Sequence, residues 1–334
     1  MFCIRGAQLR LVLPILAACL PARLLLGQTD IDQSGSLPSA ALASDLTSSQ
    51  ASRVKALLAA HDYTPVEALL LAEINHDPTS AQTARLLSLL GHVYFLAADY
   101  GHAAIAWKKS EKIAPLEPSA QFSLAMVYIQ LGHPAWARPV LESLSSKRPD
   151  EALYPYWLGR LDYDAQHYDS AIAQFTRTIA LRPDMARAYD NLGLCYFSQN
   201  RNSLAIESYR KAIDLDRNSP HPSAWPHLNL ATALHFLNRL DEAEAELQEA
   251  VRLDPALKPA HYELGLVLEA EQQFDSAVRS FSDATRLDSN YAEPHFALAR
   301  IYRKQGRKDL AQQEVEIYQQ LRSRVQPTPS AQVH

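Results

Sequence analysis

The sequence is poor in cysteine and glycine. Of its three cysteines, Cys3 and Cys19 lie within the first 27 residues, which leaves Cys195 alone in the rest of the chain. A single cysteine cannot form an internal disulfide, so the chain is not a disulfide-stabilised scaffold. Only ten glycines occur in 334 residues, and alanine and leucine are abundant, which favours helices over turn-rich sheets. The composition therefore predicts an all-helical protein.

The sequence also lacks an excess of positive charge and the short motifs of common enzymes. Its 32 basic and 37 acidic residues give a formal net charge of −5, which argues against a nucleic-acid partner. The HExxH, GxSxG, P-loop, GxGxxG and CxxC motifs are all absent. We therefore predict a protein that is not an enzyme and that uses neither a cofactor nor a metal ion.

Residues 1–27 resemble a signal peptide. A short basic start ends at Arg10 and is followed by an apolar run over residues 11–20. Prolines interrupt the longer apolar stretch, whereas a membrane-spanning helix needs about 20 predominantly apolar residues. Residues 16–19 also resemble the bacterial lipobox, so two processing routes stay open: ordinary signal cleavage, or lipidation of Cys19. Both predict export to the periplasm, the cell surface or the medium, and the second adds a membrane anchor.

The remaining chain contains a linker, a repeat array and a tail. Residues 28–49 are rich in serine, alanine and threonine without an apolar period, which predicts a flexible linker. Residues 50–325 repeat with a period of 34, beginning with a degenerate copy at residues 50–80, and residues 326–334 are predicted to be a disordered tail. Seven full copies, here repeats 1 to 7, occupy residues 84–117, 118–151, 152–185, 186–219, 224–257, 258–291 and 292–325.

Several positions, counted from the first residue of each repeat, recur in all seven copies. Position 7 is always leucine, position 8 is glycine or alanine, and position 20 is alanine. Small side chains at positions 8 and 20 predict two closely packed antiparallel helices. Position 24 is bulky, as in Trp107 and Phe281, and is expected to pack on the following repeat. Four aspartates at position 18 are expected to cap the second helix: Asp169, Asp241, Asp275 and Asp309.

The residues that recur at these positions resemble the tetratricopeptide repeat, as in the stretch AYDNLGLCYFSQNRNSLAIESYRKAIDLDR at residues 188–217. The resemblance covers about 240 residues. It implies an all-α fold, a right-handed α-solenoid of helix-turn-helix repeats, which binds a protein or peptide in a concave groove. In this family, positions 2, 5, 9, 12 and 13 of the first helix line the groove. Eleven aromatic or apolar residues taken from positions 5, 9 and 12 would anchor a peptide: Phe95, Phe122, Met126, Ile129, Tyr156, Tyr163, Leu194, Phe197, Tyr262, Leu266 and Phe296.

A basic cluster at the last hairpin leaves two interpretations open. Arg300, Arg303 and Lys304 predict either a patch for an anionic ligand or a solvated helix end that complements the helix dipole.

Three histidines at position 4 raise the question of a metal site. His227, His261 and His295 belong to successive repeats. Neighbouring helices lie about 8 to 10 Å apart, whereas zinc ligands each lie about 2 Å from one ion. One ion therefore cannot bind all three, and the sequence predicts that they pack between helices.

The leading functional prediction is a non-catalytic scaffold or adaptor for a partner protein. One alternative is a lipid-anchored outer-membrane accessory factor that resembles the repeat lipoproteins of pilus assembly and depends on Cys19 alone. Another is an enzyme with an unrecognised groove site that uses acids such as Asp162, Asp164 and Asp190.

Overall fold

The computed structural model describes residues 45–74 and 79–325, which are helical with no strand among them. The predicted signal peptide, Cys19 and the tail at residues 326–334 lie outside the described residues. Within the described part, none of the helices has both the length and the apolar character needed to cross a membrane. The fold is an all-α array of helical repeats. It divides after Tyr154 into two compact units, called here the N-terminal and the C-terminal unit.

The described part of the N-terminal unit contains helices that pack against their neighbours in chain order. Its core is built from leucines and valines such as Val54, Leu70 and Leu86. Prolines stand at the first position of two of the helices, where no backbone N–H is needed. The helices are α1 (Ser48–Ala59), α2 (Tyr63–Ile74), α3 (Ala81–Leu96), α4 (Tyr100–Ile113), α5 (Pro118–Gln130) and α6 (Pro134–Lys147).

The start of α1 corrects the predicted linker at residues 45–49. Thr47 caps α1, and the Gln50 side chain accepts a hydrogen bond from the Thr47 backbone N–H at 2.9 Å. Leu46 is buried, and the Asp45 carboxylate accepts a hydrogen bond from Arg85 Nε at 2.7 Å. The serines and threonines that suggested a linker are also good helix caps, so composition alone did not separate the two. The helical array therefore includes residues 45–49.

The C-terminal unit begins within the first turn of α7 and contains the other helices of repeats 3 to 7. Besides packing in chain order, the first helices of repeats 4 to 7 contact one another in turn, so they form one continuous face within this unit. The helices are α7 (Leu153–Asp164), α8 (Tyr168–Leu181), α9 (Ala186–Ser198), α10 (Asn202–Asp216), α11 (Trp225–Phe236), α12 (Leu240–Leu253), α13 (Lys258–Ala270), α14 (Phe274–Leu287), α15 (Ala292–Lys304) and α16 (Lys308–Val325).

The bulky residue at position 24 lies against position 8 of its own repeat, and Phe281 also belongs to a core cluster with Ala297, Leu298 and Ile301 of the next repeat. A Cβ atom added to Gly265 would lie 2.5 Å from Cε1 of Phe281. The same crowding applies to Gly193, whose added Cβ would lie 2.5 Å from Cε1 of Tyr209. Any side chain at position 8 would have to displace the ring. Glycine is therefore needed here for close approach, not for its backbone freedom.

The aspartates at position 18 are not N-caps, which corrects a second expectation. The caps are two residues earlier, at His167 before α8 and Gln273 before α14, and they make no side-chain cap hydrogen bond. Asp169 and Asp275 lie in the first turn of the helix instead, where a negative charge complements the dipole. The reason lies in the turn: position 15 has a positive φ in every repeat, as in Gly306, and the second helix starts two residues later.

Candidate functional site

The predicted groove residues of the N-terminal unit are buried. Phe95, Phe122, Met126 and Ile129 are each at most 7% exposed. Phe95 packs on the rings of Tyr100 and Trp107, and Phe122 packs on Tyr154, all within about 6 Å between centroids. These side chains fill space between helices. The prediction that they are available to a partner was wrong for this unit.

Position 5 is also buried in most of the C-terminal unit. The ring of Tyr262 lies between Phe281 at 5.7 Å and Tyr291 at 5.4 Å, and Tyr156 packs on Phe175 at 5.9 Å. A side chain at this position is covered where a further repeat stacks on it. The corresponding Phe296 belongs to the last repeat and is 51% exposed, with Tyr318 at 5.3 Å as its aromatic neighbour. Tyr156 and Tyr262 are therefore not surface anchors, whereas Phe296 is accessible.

The remaining predicted groove residues are partly exposed and lie on the first helices of the C-terminal unit. Tyr163, on α7, is among them, and burial raises its pKa. Leu194 and Phe197 are one helical turn apart on α9, and the Phe197 ring meets the edge of Phe236 at 5.8 Å. We call Leu194, Phe197, Phe236 and Leu266 the apolar strip.

Sequence reasoning missed Phe236, although it occupies position 13, which lines the groove in this family. Phe236 is 48% exposed. Only repeat 5 has a phenylalanine at this position, so no recurring column pointed to it. Its contact with Phe197, on the neighbouring helix, shows why it belongs with the apolar strip.

A cavity of about 610 Å³ adjoins this strip. It is lined by His235 on α11, Leu266 and Glu269 on α13, and Arg300 and Lys304 on α15. The first helices of repeats 5, 6 and 7 therefore all contribute to it. The lining is part apolar and part charged, and the cavity is open to the surface.

Two of the three residues of the predicted basic patch line the cavity, and the third does not. Arg300 Nε donates to Glu269 Oε1 at 2.8 Å, and Lys304 Nζ donates to the same oxygen at 3.2 Å. Burial alone would raise the pKa of Glu269, but the two cations hold that pKa below its usual value. Arg303 is exposed and does not line the cavity. Glu269 is 31 residues before Arg300, which is why the sequence did not reveal the pairing.

The acids considered for catalysis are mainly part of the packing between repeats. Asp162 and Asp190 are buried, and Asp164 is exposed. Burial raises the pKa of Asp190 to about 6, against the opposing effects of Asn229, which donates to its carboxylate at 2.9 Å, and of Arg160. A raised pKa is typical of catalytic carboxyls but also of buried structural ones. The hydrogen bond to the neighbouring repeat favours the structural role.

The position-4 histidines interact with protein groups rather than with one another. His227 and His295 each contact a glutamate of the second helix in the same repeat, Glu246 and Glu314, at 2.6 Å. Repeat 6 has serine at the glutamate position, and His261 instead contacts the Pro255 carbonyl oxygen at 3.0 Å. Across residues 45–74 and 79–325, no three ligand-type side chains are grouped as a metal site.

The buried thiol of Cys195, on α9, is uncrosslinked. Burial raises its pKa to about 12, so the thiol stays protonated at neutral pH. A protonated, buried thiol is a poor nucleophile and a poor metal ligand, and Cys195 acts as a small core residue.

Comparison with known families agrees with the repeat geometry. Two family models, each described as Tetratricopeptide repeat, match the chain. The first matches residues 156–220 and 262–323, and the second matches residues 118–143 and 224–249. Together they match more than half of the chain. The chain belongs to the tetratricopeptide-repeat family.

Solved structures share the same fold. A tetratricopeptide repeat protein from Parabacteroides merdae aligns over 81% of this chain and 98% of its own, with a TM-score of 0.62 and 14% identity. PilW, described as a widely conserved type IV pilus biogenesis factor, aligns over 62% of this chain and 92% of its own, with a TM-score of 0.55 and 21% identity. At these identities the likeness shows the fold alone.

Curated relatives match only in part. Human protein O-mannosyl-transferase TMTC1 is 26% identical over 183 residues, which are 53% of this chain and 20% of the relative. This chain spans a fifth or less of the first curated relatives that it matches. What such relatives do as whole proteins is therefore not transferred to this chain.

Proposed function

We propose that this chain is a non-catalytic protein-interaction scaffold that holds a peptide segment of a partner protein against the first helices of the C-terminal unit. The observation on which this depends is the apolar strip beside the cavity. Phe236, which is 48% exposed, contacts the partly exposed Phe197 on the neighbouring first helix, and the partly exposed Leu194 and Leu266 continue the apolar surface. Membership of the tetratricopeptide-repeat family supports the same function, because its stacked helices form extended binding surfaces.

The physical argument is that exposed aromatic side chains bind well at low entropic cost. A phenylalanine has few rotatable bonds, so little freedom is lost when a partner covers it, and a few such anchors supply most of the affinity in protein interfaces. A cluster of apolar side chains rimmed by polar groups is typical of interaction sites on otherwise polar surfaces. In the N-terminal unit, the predicted apolar groove residues Phe95, Phe122, Met126 and Ile129 are buried instead.

The test is to change Phe197 and Phe236 to alanine together and to capture partners by crosslinking in the host, followed by mass spectrometry. We expect the crosslinked partner of the wild-type chain to be lost, and its affinity, once purified, to fall at least about tenfold because two anchors are removed. Trp136→Ala is the matched control, since Trp136 is 55% exposed but lies in the N-terminal unit. The proposed surface is wrong if the double variant retains every partner that the control retains.

Export and lipid anchoring stay predictions of the sequence. The residues involved, including Cys19, are outside the described part of the chain. Mass spectrometry of the mature N-terminus distinguishes a lipidated Cys19 from ordinary signal cleavage. A lipidated terminus would favour the membrane-anchored accessory factor, with the same binding surface displayed at a membrane.

A further inference from the structure

The turn between α5 and α6, here called the repeat-2 tip, is an exposed segment without charge. It comprises residues 131–136, with the sequence LGHPAW. All of these residues are exposed, Leu131 by 40% and Trp136 by 55%. In each of the six other full repeats, positions 14 to 19 include at least one charged residue, such as Arg201 in repeat 4. The repeat-2 tip therefore presents apolar side chains where the other repeats present charges.

The backbone of the tip projects outward and satisfies its own hydrogen bonds. Gly132 has a φ of 76°, and a Cβ atom built on it would have nothing within 4 Å. The Gly132 N–H donates to the Ile129 carbonyl at 3.0 Å, and the His133 N–H donates to that of Tyr128 at 2.8 Å. The Trp136 N–H donates to the His133 carbonyl at 3.0 Å. A segment whose N–H groups are already paired loses less when it leaves water.

The indole of Trp136 is held at the tip by two aromatic neighbours. Its ring stacks on His133, with centroids 4.1 Å apart and an angle of 23° between the planes. The Tyr128 ring meets it edge to face at 5.5 Å. These contacts leave more than half of Trp136 exposed, so a large apolar ring is fixed in an outward position.

Cations lie beside this aromatic group on the neighbouring helix, α4. Lys108 interacts electrostatically with Tyr128 and also pairs with Glu111. Lys109 is exposed, and Ile105, one helical turn before it, is 52% exposed. An apolar group flanked by tyrosine and lysine side chains matches the layers of a phospholipid surface, in which acyl chains lie beneath negatively charged phosphates.

We propose that the repeat-2 tip docks on a phospholipid bilayer. Leu131 and Trp136 enter the interfacial region, and the lysines of α4 lie at the headgroup phosphates. Tryptophan and tyrosine are enriched at this depth of a membrane, because one end of the ring is apolar and the other is polar. A projecting, uncharged turn suits a flat bilayer, whereas a peptide needs a groove. This surface is separate from the apolar strip and goes beyond the proposed function.

The experiment measures contact between the tip and lipid through tryptophan fluorescence. The mature chain, purified from its host, is mixed with vesicles of phosphatidylethanolamine and phosphatidylglycerol with brominated acyl chains, which quench any tryptophan that enters them. The chain has four tryptophans, of which Trp107 and Trp157 are buried. We expect quenching in the wild type and none in Trp136→Phe, which keeps the tip apolar but removes the fluorophore. No quenching in the wild type, or quenching that persists in Trp136→Phe, overturns the proposal.

A matched pair of substitutions tests the apolar character of the tip without removing Trp136. Leu131 and Leu237 both occupy position 14, in repeats 2 and 5, and are 40% and 41% exposed. At a fixed lipid concentration, Leu131→Asp should lower the quenching at least about fivefold, because a carboxylate is costly to bring into a bilayer. Leu237→Asp is the control and should change it by less than about 1.5-fold. Equal quenching in the two variants overturns the proposal, once circular dichroism has confirmed that both are folded.

Quenching reports the position of the Trp136 ring itself, so a lipid attached to Cys19 does not produce the same signal. Sedimentation without lipid tests the alternative occupant, a second copy of the chain. If the wild type forms an oligomer that Leu131→Asp converts to monomers, and the vesicles do not quench it, the tip joins two copies and the bilayer proposal is wrong.

The tip and the apolar strip belong to different units, so the two proposals can fail separately. Trp136→Ala should leave the affinity for a purified partner unchanged, and Phe197→Ala/Phe236→Ala should leave the quenching by brominated vesicles unchanged. If the double variant loses its partner while the wild type is not quenched, the strip is retained and the tip is wrong. If the wild type is quenched through Trp136 while the double variant keeps its partner, the tip is retained and the strip is wrong.

Discussion

Repeat 5 differs from the repeats on either side of it in how its two helices meet. Repeats 4 and 6 combine glycine at position 8 with an aromatic ring at position 24, whereas repeat 5 combines Ala231 with Leu247. The same association holds in all seven repeats: glycine occurs with Trp107, Phe175, Tyr209 and Phe281, and alanine occurs with Leu141, Leu247 and Val315. The space between the helices is therefore filled by two complementary volumes, which must change together.

Repeat 5 also differs in its link to the following repeat. Gln199 and Gln305 donate from their side chains to the position-18 aspartate of the preceding repeat, at 2.8 and 3.3 Å. Between repeats 5 and 6, the position of the glutamine is occupied by Glu271 of repeat 6, and the aspartate of the preceding repeat is Asp241. Two acids cannot form this hydrogen bond when both are ionised. Repeat 5 thus has a smaller side chain at position 24 between its two helices, and it has two acids instead of a hydrogen bond at its junction with repeat 6.

The largest expected effect comes from removing the ring itself. Phe281→Ala should lower the free energy of unfolding by about 3 to 5 kcal/mol, because Gly265 supplies no side chain to fill the resulting cavity. Leu247→Ala in repeat 5 removes a smaller side chain beside an alanine and should cost less. Urea unfolding followed by circular dichroism measures both. Equal losses would show that position 8 does not set the size of the cavity.

The next effect comes from filling position 8 without changing the ring. Gly265→Ala should cost about 1 to 3 kcal/mol, since the added Cβ overlaps the Phe281 ring. Adding Phe281→Leu rebuilds the pair of repeat 5 and should recover part of that loss, so the two substitutions are not additive. Ala231→Gly is the control, and it should cost about 1 kcal/mol through helix propensity and lost packing. If the losses in unfolding free energy from Gly265→Ala and Phe281→Leu simply add, the two positions do not fill a shared space.

The repeat architecture and much of its core could be predicted from the sequence, because each 34-residue copy must solve the same packing problem. The contact of position 24 with position 8 of its own repeat was not predicted, although the association of glycine with aromatics is visible in the seven copies. One column shows that a residue is large. Comparing positions 8 and 24 across the repeats shows which neighbour the large residue touches, as Phe281 touches Gly265.

The binding surface was harder to predict, for a physical reason. Tyr262 and Phe296 occupy the same repeat position, yet one is 7% exposed and the other 51%. Their difference depends on whether another repeat stacks on them, which is a tertiary property. Likewise, Arg300 was recognised as basic, but its neutralising partner Glu269 belongs to the preceding repeat. Residue type indicated the chemistry, and stacking decided the accessibility.

The smallest expected effect concerns the acidic link after repeat 5. Burial and the charge of Glu244 raise the pKa of Glu271, with a smaller contribution from Asp241. A carboxyl whose pKa is raised by folding costs stability once it is ionised. This cost is absent below the unfolded pKa, grows as the pH rises through the folded pKa, and is constant above it. Glu271→Gln removes the charge and supplies the donor that Gln305 uses in repeat 7. It should stabilise the chain at pH 7 by about 0.2 to 1 kcal/mol, the range for exposed side-chain pairs.

The pH dependence and a reverse substitution make this last effect measurable. The gain from Glu271→Gln should disappear below about pH 4, where the carboxyl is protonated in both states. Gln305→Glu, which places an acid opposite Asp275, should lower stability by a similar amount at pH 7 and by nothing in acid. Thermal unfolding at the two pH values tests both variants. A gain from Glu271→Gln that persists unchanged in acid would mean that helix packing, rather than the charge of the link, distinguishes repeat 5.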